Sequence, residues 1–306
     1  MSLPAAAQLR KLLNGSDPLV VPFAYDAFSA RLIEDAGFQA VGVSGSAVSA
    51  SLLAAPDMGL LSREEMVGQA GRIARAVPAL PVIADAETGY GDLSQVAETV
   101  RQFESAGVSA LFMEDQQDPK RCGHLEGRQL VSTDEMLEKL KVVLEARRDP
   151  QFVVIGRTDA LAVEGVEGAA ARARAYLEAG ADMAFVVGPR SREELQAIPQ
   201  KIKGPLMVVL SEGGSTPLLS VGELHEMGYK LIGYSGLAIG AAARSIQLSL
   251  QTLKEEGTTS SLADSVMPLL ERNRLLRLQS DEIQEDETKV KLKGEPNAYR
   301  HTDSRS

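Results

Sequence analysis

The stretch Ala179-Gly-Ala-Asp-Met-Ala-Phe-Val-Val187 joins the end of a helical pattern to a short apolar run. Gly180 suits the left-handed residue that ends many helices, and the run over 181–187 has the length and composition of a buried strand. Similar helix-to-strand joints recur in the chain, at Ala36-Gly37, Ala106-Gly107 and Met227-Gly228. The recurrence predicts a fold in which helices and strands alternate.

Eight apolar runs are predicted to be strands, with helical patterns between them. They cover 18–23, 39–44, 80–85, 108–114, 151–157, 181–187, 205–210 and 229–235. The runs are continuous and do not alternate strictly, which is typical of parallel strands buried on both faces. Helix starts are marked by Ser-x-x-Glu capping boxes, at Ser62/Glu65, Ser132/Glu135, Ser191/Glu194 and Ser220/Glu223. Eight βα units predict a (β/α)8 TIM-type barrel, and a doubly wound open sheet is the alternative.

The chain continues beyond what a closed barrel needs. Two helical patterns follow the eighth strand, over 238–255 and 262–285, so one helix is extra. We therefore predict a barrel catalytic domain over 1–257, a C-terminal helical extension over 258–285 and a polar tail over 286–306. The tail has few apolar residues to bury, so it is expected to be disordered or to lie on the surface.

Composition narrows the class of partner. The 306 residues are 44% hydrophobic with a net charge of −10, so we expect a globular protein that does not bind nucleic acid or a membrane surface. A small anionic substrate would need a focused local site. A single cysteine, Cys122, excludes an internal disulfide framework and fits a reducing compartment. The N-terminus lacks the pattern of a secretory signal, so cytoplasm is the expected location.

Acidic side chains stand where the predicted strands end. In Asp85-Ala-Glu87 the strand period of two would aim both carboxylates to one side, and Glu114 ends the neighbouring strand. Oxygen ligands of this kind suit Mg²⁺ or Mn²⁺, and acids that cap helices or pair with Arg157 are the alternative. Three histidines and one cysteine in no ligand spacing disfavour zinc. Further polar positions at strand ends are candidates for substrate binding: Tyr25, Ser44, Gly45, Ser46, Ser211 and Glu212.

The connection that contains Asp118–Arg128 is longer than most βα loops, which indicates a lid over the active face. Positive neighbours lower the pKa of a thiol, and Lys120, Arg121 and His124 surround Cys122. Gly123 and Gly127 allow hinge motion. The alternative for a lone cysteine is an inert small hydrophobe. A cysteine hydrolase would need a base histidine near the thiol, but His225 and His301 fall in a helix and in the tail.

Seven short motifs occur in order within residues 20–255: Ser44-Gly-Ser46, Ala55-Pro-Asp57, Asp85-Ala-Glu87-Thr-Gly-Tyr-Gly91, Glu114-Asp115, Lys120-Arg-Cys-Gly-His124, Arg157-Thr-Asp159 and Glu212-Gly-Gly-Ser-Thr-Pro217. With these motifs the sequence resembles the isocitrate lyase/phosphoenolpyruvate mutase superfamily, and most of all its methylisocitrate lyase and dimethylmalate lyase branch. The resemblance implies a barrel whose last helix is exchanged with a neighbouring subunit, in a homotetramer built as a dimer of dimers. Such an exchange would account for the extra helix.

The resemblance also implies residue roles. It implies that Cys122, on a gating loop with Lys120, Gly123 and His124, protonates the carbanion released when a carbon–carbon bond breaks, and that Arg157 binds the oxyanion side. The implied metal ligands, acting largely through waters, are Asp57, Asp85, Glu87 and Glu114. The implied receivers of the substrate carboxylate are Ser44, Gly45 and Ser46.

The expected activity is a Mg-dependent carbon–carbon lyase that cleaves a small 2-hydroxy or 2-oxo di- or tricarboxylate to pyruvate- or oxalate-like products. An oxaloacetate decarboxylase or hydrolase, a phosphonomutase and a non-catalytic binding protein are the alternatives. The mutases of the superfamily carry an asparagine-bearing loop without Cys122, which favours the lyase. Three positions depart from the usual lyase pattern, namely Glu87 in place of Asp, Val187 in place of an acid, and Val209 in place of an asparagine. Apolar Val187 and Val209 favour an alkyl-substituted dicarboxylate over a tricarboxylate.

Overall fold

Eight parallel strands close into a barrel in which each strand pairs with the next along the chain and the eighth pairs with the first. The structure is a computed structural model that describes residues 3–123 and 127–277. The strands are β1 (Leu19–Ala24), β2 (Val41–Val43), β3 (Val82–Asp85), β4 (Ala110–Glu114), β5 (Val153–Thr158), β6 (Met183–Val186), β7 (Leu206–Leu210) and β8 (Leu231–Tyr234). Each falls within or beside a predicted apolar run, so the TIM-type barrel is confirmed and the open sheet is excluded.

Helices follow the strands around the barrel. Those of the described residues are α1 (Ala5–Leu13), α2 (Ala27–Asp35), α3 (Gly45–Leu53), α4 (Arg63–Ala76), α5 (Leu93–Ser105), α6 (Thr133–Ala146), α7 (Leu161–Glu178), α8 (Arg192–Lys201), α9 (Val221–Met227), α10 (Leu237–Glu256) and α11 (Leu269–Leu275). The chain divides into two compact units after Gly240. Within the described ranges, none of these helices is long and apolar enough to cross a membrane.

The region after α10 differs from the predicted single helix over 262–285. A short 3₁₀ turn covers Ser260–Leu262, and α11 begins only at Leu269. Pro268 stands directly before α11 in an extended conformation, and proline disfavours a helical conformation in the residue that precedes it. The single helix is therefore wrong for the part up to residue 277. The rest of that helix and the predicted tail over 286–306 lie outside the described residues.

Local sequence signals account for the helix ends. Ser62, Ser132 and Ser220 form complete capping boxes with the glutamate three residues later, as predicted. At Ser191 only half of the box forms, because the Glu194 carboxylate accepts from the N–H of Arg190. The four predicted C-terminal glycines all have positive φ, namely 84° at Gly37, 91° at Gly107, 105° at Gly180 and 110° at Gly228. These ends set where each strand begins and so which residues reach the strand ends.

The interior of the barrel is closed by aromatic rings below the strand ends. The rings of Phe112 and Phe185 meet edge to face with centroids 5.8 Å apart, and the Phe23 ring lies 6.3 Å from that of Phe112. Gly42 leaves room for Phe23, because a Cβ at that position would lie 2.1 Å from the ring. All three rings also line the cavity at the strand ends.

Candidate active site

A cavity opens at the C-terminal ends of the strands, above the three phenylalanines. It brings together many of the predicted site residues, including Ser44, Ser46, Asp57, Asp85, Cys122, Gly123 and Arg157, and it is also lined by Phe23, Phe112, Phe185, Val187, Gly188, Val209 and Ser235. The phenylalanines were missed as site residues. Their signal was the period of two along each strand, which directs alternate side chains into the barrel.

Seven of the predicted site residues that the structure describes do not line this cavity. Four of them, Gly45, Glu87, Glu114 and Lys120, lie in or against the acidic cluster around Asp85. The other three are Tyr25, Ser211 and Glu212. Tyr25 uses its carbonyl to accept a hydrogen bond from Gln69, at 2.7 Å. Ser211 and Glu212 lie beside Gly236, where a Cβ would come within 2.5 Å of Ser211 Oγ. Ser211 and Glu212 thus lie against the residue that follows Ser235 of the cavity lining.

Ser44 and its neighbours form the start of α3 at the edge of the cavity. Ser44 is the N-cap, and its Oγ accepts from the N–H of Ala47 at 3.2 Å. Gly45 approaches the acidic side chains so closely that a Cβ would lie 2.3 Å from Glu87 Oε1 and 2.9 Å from an Asp85 oxygen. The first N–H groups of a helix attract anions. The site therefore combines donors from α3 with carboxylates beside them.

The carboxylates of Asp85 and Glu87 are brought together by a turn. β3 ends at Asp85, so strand alternation does not extend to Glu87. The N–H of Glu87 instead donates to Asp85 Oδ1 at 2.9 Å. Glu87 has a left-handed φ of 52° and Tyr90 one of 64°. A conformation of this kind costs a non-glycine residue about 1 kcal/mol or more, so the fold holds strain where Glu87 faces the cluster.

Burial controls the charge of the acidic cluster. Asp85, Glu87 and Glu114 are buried, and desolvation raises the pKa of each carboxyl. For Glu87 desolvation and the negative charge of Asp85 raise the pKa to about 8. The Tyr90 hydroxyl is buried beside them, and burial followed by the charge of Glu87 raises its pKa. Positive charge close to these carboxyls would therefore favour their ionised form.

Two basic side chains enter the cluster. Lys120 Nζ contacts both Asp57 Oδ1 and Glu87 Oε2, and its side chain is only 2% exposed. Arg157 Nη2 lies 2.7 Å from Glu114 Oε2, while its Nη1 lies 3.9 Å from Asp85 Oδ2. Burial lowers the pKa of both bases, but the carboxylates outweigh it and raise each pKa. Lys120 thus lies among the acids.

The donor set fits a divalent cation. Four acidic side chains, those of Asp57, Asp85, Glu87 and Glu114, face only two basic ones, Lys120 and Arg157. Glu87 Oε1 and Glu114 Oε1 are buried without a hydrogen-bond partner among the described residues. In the described part of the chain no three His, Cys, Asp or Glu side chains converge closely enough to hold a metal ion directly. The arrangement matches a hard cation that retains several waters.

Arg157 is fixed by a buried chain of acids and bases that the sequence did not reveal. Its Nε lies 2.9 Å from Asp159 Oδ2, and Arg128 Nη1 lies 3.1 Å from the other oxygen of Asp159. The N–H of Asp159 donates to Asp115 Oδ1 at 2.9 Å. Asp159 belongs to one of the short sequence motifs, but no role was predicted for it. Arg128 could not be recognised as a site residue from local sequence, because its partner lies 31 residues away. These ion pairs link Arg128 of the long loop to Arg157 in the cavity wall.

The long loop between β4 and α6 covers the cavity with Cys122 and Gly123. The N–H of Cys122 donates to the carbonyl of Asp57 at 3.0 Å. Gly123 fits tightly, because a Cβ there would lie 2.4 Å from Val187 Cγ1. His124 lies outside the described residues. These contacts place the half-buried thiol residue at the cavity wall.

The sequence matches proteins of known family. A sequence model described as Phosphoenolpyruvate phosphomutase matches residues 9–254. The 2,3-dimethylmalate lyase of Eubacterium barkeri is 41% identical over 274 residues, which cover 90% of this chain and 94% of that protein. The 2-methylisocitrate lyase of Aeropyrum pernix is 37% identical over 298 residues, which cover 97% of this chain and 95% of that protein.

The fold matches solved structures of the same group. A 2,3-dimethylmalate lyase aligns with a TM-score of 0.85 and 35% identity over 100% of this chain and 99% of that chain. Oxaloacetate acetylhydrolase bound to 3,3-difluorooxalacetate aligns at 0.84 and 33%, over 96% and 98%. A phosphonopyruvate hydrolase complex with oxalate and Mg²⁺ aligns at 0.81 and 28%, over 96% and 99%. Because the family match extends from α1 through β8 and the named relatives cover nearly the whole chain, the protein belongs to the phosphoenolpyruvate mutase/isocitrate lyase superfamily and is an enzyme whose relatives include lyases.

Proposed function

We propose that the protein is a metal-dependent carbon–carbon lyase that cleaves a small 2-hydroxy or 2-oxo dicarboxylate to pyruvate- or oxalate-like products. The observation that carries the proposal is the position of Cys122 at the wall of a cavity that also contains Arg157 and Asp85. A thiol there can give a proton to a carbanion, while a guanidinium and helix N–H groups hold carboxylate oxygens. The relatives named as lyases support the same reaction class.

In this scheme each group has one task. Arg157 and the start of α3 at Ser44–Ser46 orient the 2-hydroxy acid, whose hydroxyl proton passes to a carboxylate of the cluster. The bond between the hydroxyl-bearing carbon and its neighbour breaks, and the hydroxyl-bearing fragment leaves as a 2-oxo acid. The other fragment leaves as an enolate, and Cys122 protonates its carbon. The closed loop at Gly123 keeps water from competing as a proton donor.

The proposed cofactor is Mg²⁺ or Mn²⁺. Asp85, Glu87 and Glu114 would hold it, and the unpartnered oxygens of Glu87 and Glu114 support that assignment. When bound, the cation would stabilise the negative charge of an enolate or carboxylate oxygen. The Mg²⁺ in the similar phosphonopyruvate hydrolase complex is consistent with this proposal. Dialysis against EDTA should abolish turnover, and added Mg²⁺ or Mn²⁺ should restore it; activity that survives dialysis unchanged would contradict the proposal.

The apolar part of the cavity lining favours an alkyl-bearing dicarboxylate. Phe185, Val187 and Val209 belong to this part of the lining, and Arg157 already pairs with Glu114 and Asp159. A third carboxylate would meet apolar surface without a cation to pair with, at a cost of several kcal/mol. We therefore propose that a compound such as 2,3-dimethylmalate is cleaved in preference to methylisocitrate or isocitrate.

A substrate panel tests the assignment. Purified protein with Mg²⁺ is incubated with 2,3-dimethylmalate, oxaloacetate, 2-methylisocitrate, isocitrate and phosphonopyruvate, and pyruvate, oxalate and phosphoenolpyruvate are quantified. Release of a 2-oxo acid from dimethylmalate supports the lyase. Efficient cleavage of methylisocitrate would contradict the proposed preference for a dicarboxylate but would still support the lyase reaction. Conversion between phosphonopyruvate and phosphoenolpyruvate would overturn both.

A hydrolase acting on oxaloacetate is the second candidate. Val187 has a small side chain and Gly188 has none, so this part of the cavity wall would admit a compact C4 acid together with a water molecule. The similarity to oxaloacetate acetylhydrolase supports it. Oxalate and acetate formed in equal amounts from oxaloacetate, with no 2-oxo acid from dimethylmalate, would establish this candidate over the lyase.

We also propose a homotetramer. The second unit exposes apolar side chains that a partner subunit could cover, among them Ile246, Leu250 and Leu269. Association that buries such residues is favoured by the hydrophobic effect. Light scattering coupled to size-exclusion chromatography should give four times the chain mass, and a monomer at micromolar concentration would contradict the proposal.

A further inference from the structure

A second cavity borders the acidic cluster, and we call it the side cavity. Glu87 and Lys120 line it. Neither of them lines the active cavity, which is the one at the strand ends and has Asp57 and Asp85 in its wall. Lys120 Nζ contacts both Asp57 and Glu87, so one layer of paired side chains separates the two spaces. The acidic cluster therefore borders two cavities.

The side cavity leads from the protein surface to the cluster. Its lining includes Glu64 in the first turn of α4, Gln95 in α5 and Asp118 in the long loop, all of which are exposed. Its lining also includes Glu87 and Lys120, whose side chains are only 5% and 2% exposed. A lining that passes from exposed to buried residues describes an opening to solvent that ends at Glu87.

Buried polar atoms without a protein partner are concentrated in this lining. Among the residues that the structure describes, Arg63 Nε, Glu87 Oε1 and the Tyr90 hydroxyl are buried without a hydrogen-bond partner, and all three residues line the side cavity. Buried polar groups in proteins are normally paired with protein atoms or with ordered water. These three groups therefore point to a cavity that holds water.

The size of the side cavity suits a hydrated ion. A divalent cation carries about six waters of about 30 Å³ each, so its hydrated form occupies roughly 200 Å³. The side cavity has a volume of about 600 Å³, and the active cavity has about 70 Å³. The side cavity is therefore the roomier approach to the acids.

The surface end of the side cavity favours cations. Glu64 and Asp118 place exposed carboxylates there, and such groups attract cations and repel an anionic substrate. The basic group nearest to this end is Arg63, which is held by Glu64 at 3.1 Å and by Gln95 at 2.7 Å. The charges thus favour different approaches for the cation and for the substrate.

Glu87 joins the side cavity to the cluster. Its N–H donates to Asp85 Oδ1 at 2.9 Å, so its backbone lies at the end of β3 while its side chain lines the side cavity. The usual lyase pattern has aspartate at this position, which is shorter by one methylene. The longer side chain of Glu87 gives the carboxylate the reach to meet an ion that arrives from the side cavity.

We propose that the side cavity is the route by which a hydrated divalent cation reaches and leaves the acidic cluster, and that Glu87 is the first acid of the cluster on this route. The active cavity then serves the anionic substrate, and exchange of the cation does not require movement of Cys122 or Gly123. The inference rests on the proposed metal dependence and not on the identity of the substrate.

A bulky side chain at the surface end tests the route. Gln95→Trp narrows the opening and keeps the backbone hydrogen bond from residue 95 to Asp92. Mn²⁺ affinity is measured by electron paramagnetic resonance of the free ion, and Mn²⁺ release by rapid mixing of the loaded protein with a fluorescent chelator. Release and association should both slow about tenfold or more, with Kd unchanged, because the obstacle lies on the path and not at the ligands.

Two variants control for side effects of the tryptophan. Gln95→Ala removes the same contact with Arg63 but leaves the opening wide, so it should not slow exchange. Gln196→Trp adds an equally bulky group at an exposed glutamine of α8, which lines neither cavity, and should behave as the wild-type protein. Circular dichroism and thermal melting verify that each variant is folded.

Charge reversal at the surface end is a second, independent test. Glu64→Lys should slow Mn²⁺ association about threefold or more at low salt, and added salt should reduce the difference. Asp134→Lys is the matched control, because Asp134 is also an exposed acid at the second position of a helix that begins with a capping box. It should leave association unchanged.

The outcomes separate the route from the cofactor. Association and release rates equal to those of the wild-type protein in both Gln95→Trp and Glu64→Lys would overturn the route while leaving the metal site in place. A loss of affinity in Gln95→Trp without slower release would also overturn it. Absence of Mn²⁺ binding to the wild-type protein would overturn the metal dependence and the route together.

Discussion

Arg157 Nε lies 2.9 Å from Asp159 Oδ2, so the guanidinium is held from behind while its other end reaches Glu114. A planar fork can satisfy both acids at once, whereas a lysine ammonium is a single point charge. The contact therefore fixes the direction of the donors that face the cavity.

We predict that Arg157→Lys lowers kcat/KM about a hundredfold or more, because the oriented donors are lost although the charge is kept. Steady-state kinetics with the substrate found in the panel measures this. The matched variant Arg174→Lys changes an arginine on α7 that binds the carbonyl of Lys201, and it should keep full activity. Equal kcat/KM in Arg157→Lys and the wild-type protein would contradict the proposed role.

Replacement of the thiol tests proton donation. Cys122→Ser keeps the size and position of the side chain but replaces the thiol with a much weaker acid, so turnover should fall by a factor of about 100 to 10,000. Binding of oxalate, measured by calorimetry in Mg²⁺, should remain, because the carboxylate-binding groups are unchanged. Full activity of the serine variant, or a thioester trapped on Cys122 during turnover, would exclude this role.

The buried hydroxyl of Tyr176 is expected to stabilise the fold through its hydrogen bond to Asp115. It donates to Asp115 Oδ2 at 2.7 Å, and Asp115 in turn accepts the N–H of Asp159. Tyr176→Phe should lower the free energy of unfolding by about 1.5–3 kcal/mol, the range for a hydrogen bond to a charged group. Tyr229→Phe removes a buried hydroxyl that donates to a neutral carbonyl at 3.0 Å and should cost less, about 1 kcal/mol. Urea unfolding of both variants measures the difference, and an equal cost would contradict it.

A pH-dependent contribution to stability is expected at the start of α9. Hydrogen bonds from Arg192 and from Ser220 lower the pKa of Glu223 from 4.5 to about 2. Because the pKa is lower in the folded protein, the carboxylate stabilises the fold above about pH 4.5, and this contribution is lost as the pH falls towards 2.

Urea unfolding of Glu223→Gln and the wild-type protein at about pH 7, 5 and 3 checks this contribution. The difference in free energy of unfolding should be largest at the highest pH and shrink in acid. Glu226→Gln, an exposed acid on the same helix, is the matched control. A difference for Glu223→Gln that stays constant into acid would rule out the carboxylate as its source.

Several features of the site were predictable because they depend on strand ends. Asp85 and Glu114 are the last residues of β3 and β4, and Arg157 lies near the end of β5. In a parallel barrel all strand ends face one side, so their convergence follows from the fold class. The partner of Lys120 was not predictable, since a loop residue can be placed only when the surfaces that receive it are known.

The sequence by itself determined the alternation of eight strands with helices, because the signals for it are local: glycines such as Gly180 end helices, serines such as Ser62 begin them, and the continuous apolar runs between them are typical of buried strands. Closure of the sheet into a barrel was decided by the pairing of β8 with β1. Only the tertiary structure decided how the charges pair. Lys120 reaches Asp57 across 63 residues, and Arg128 reaches Asp159 across 31. Such pairs form where folding removes water from both partners, and that desolvation depends on the packing of distant segments, which no local pattern encodes.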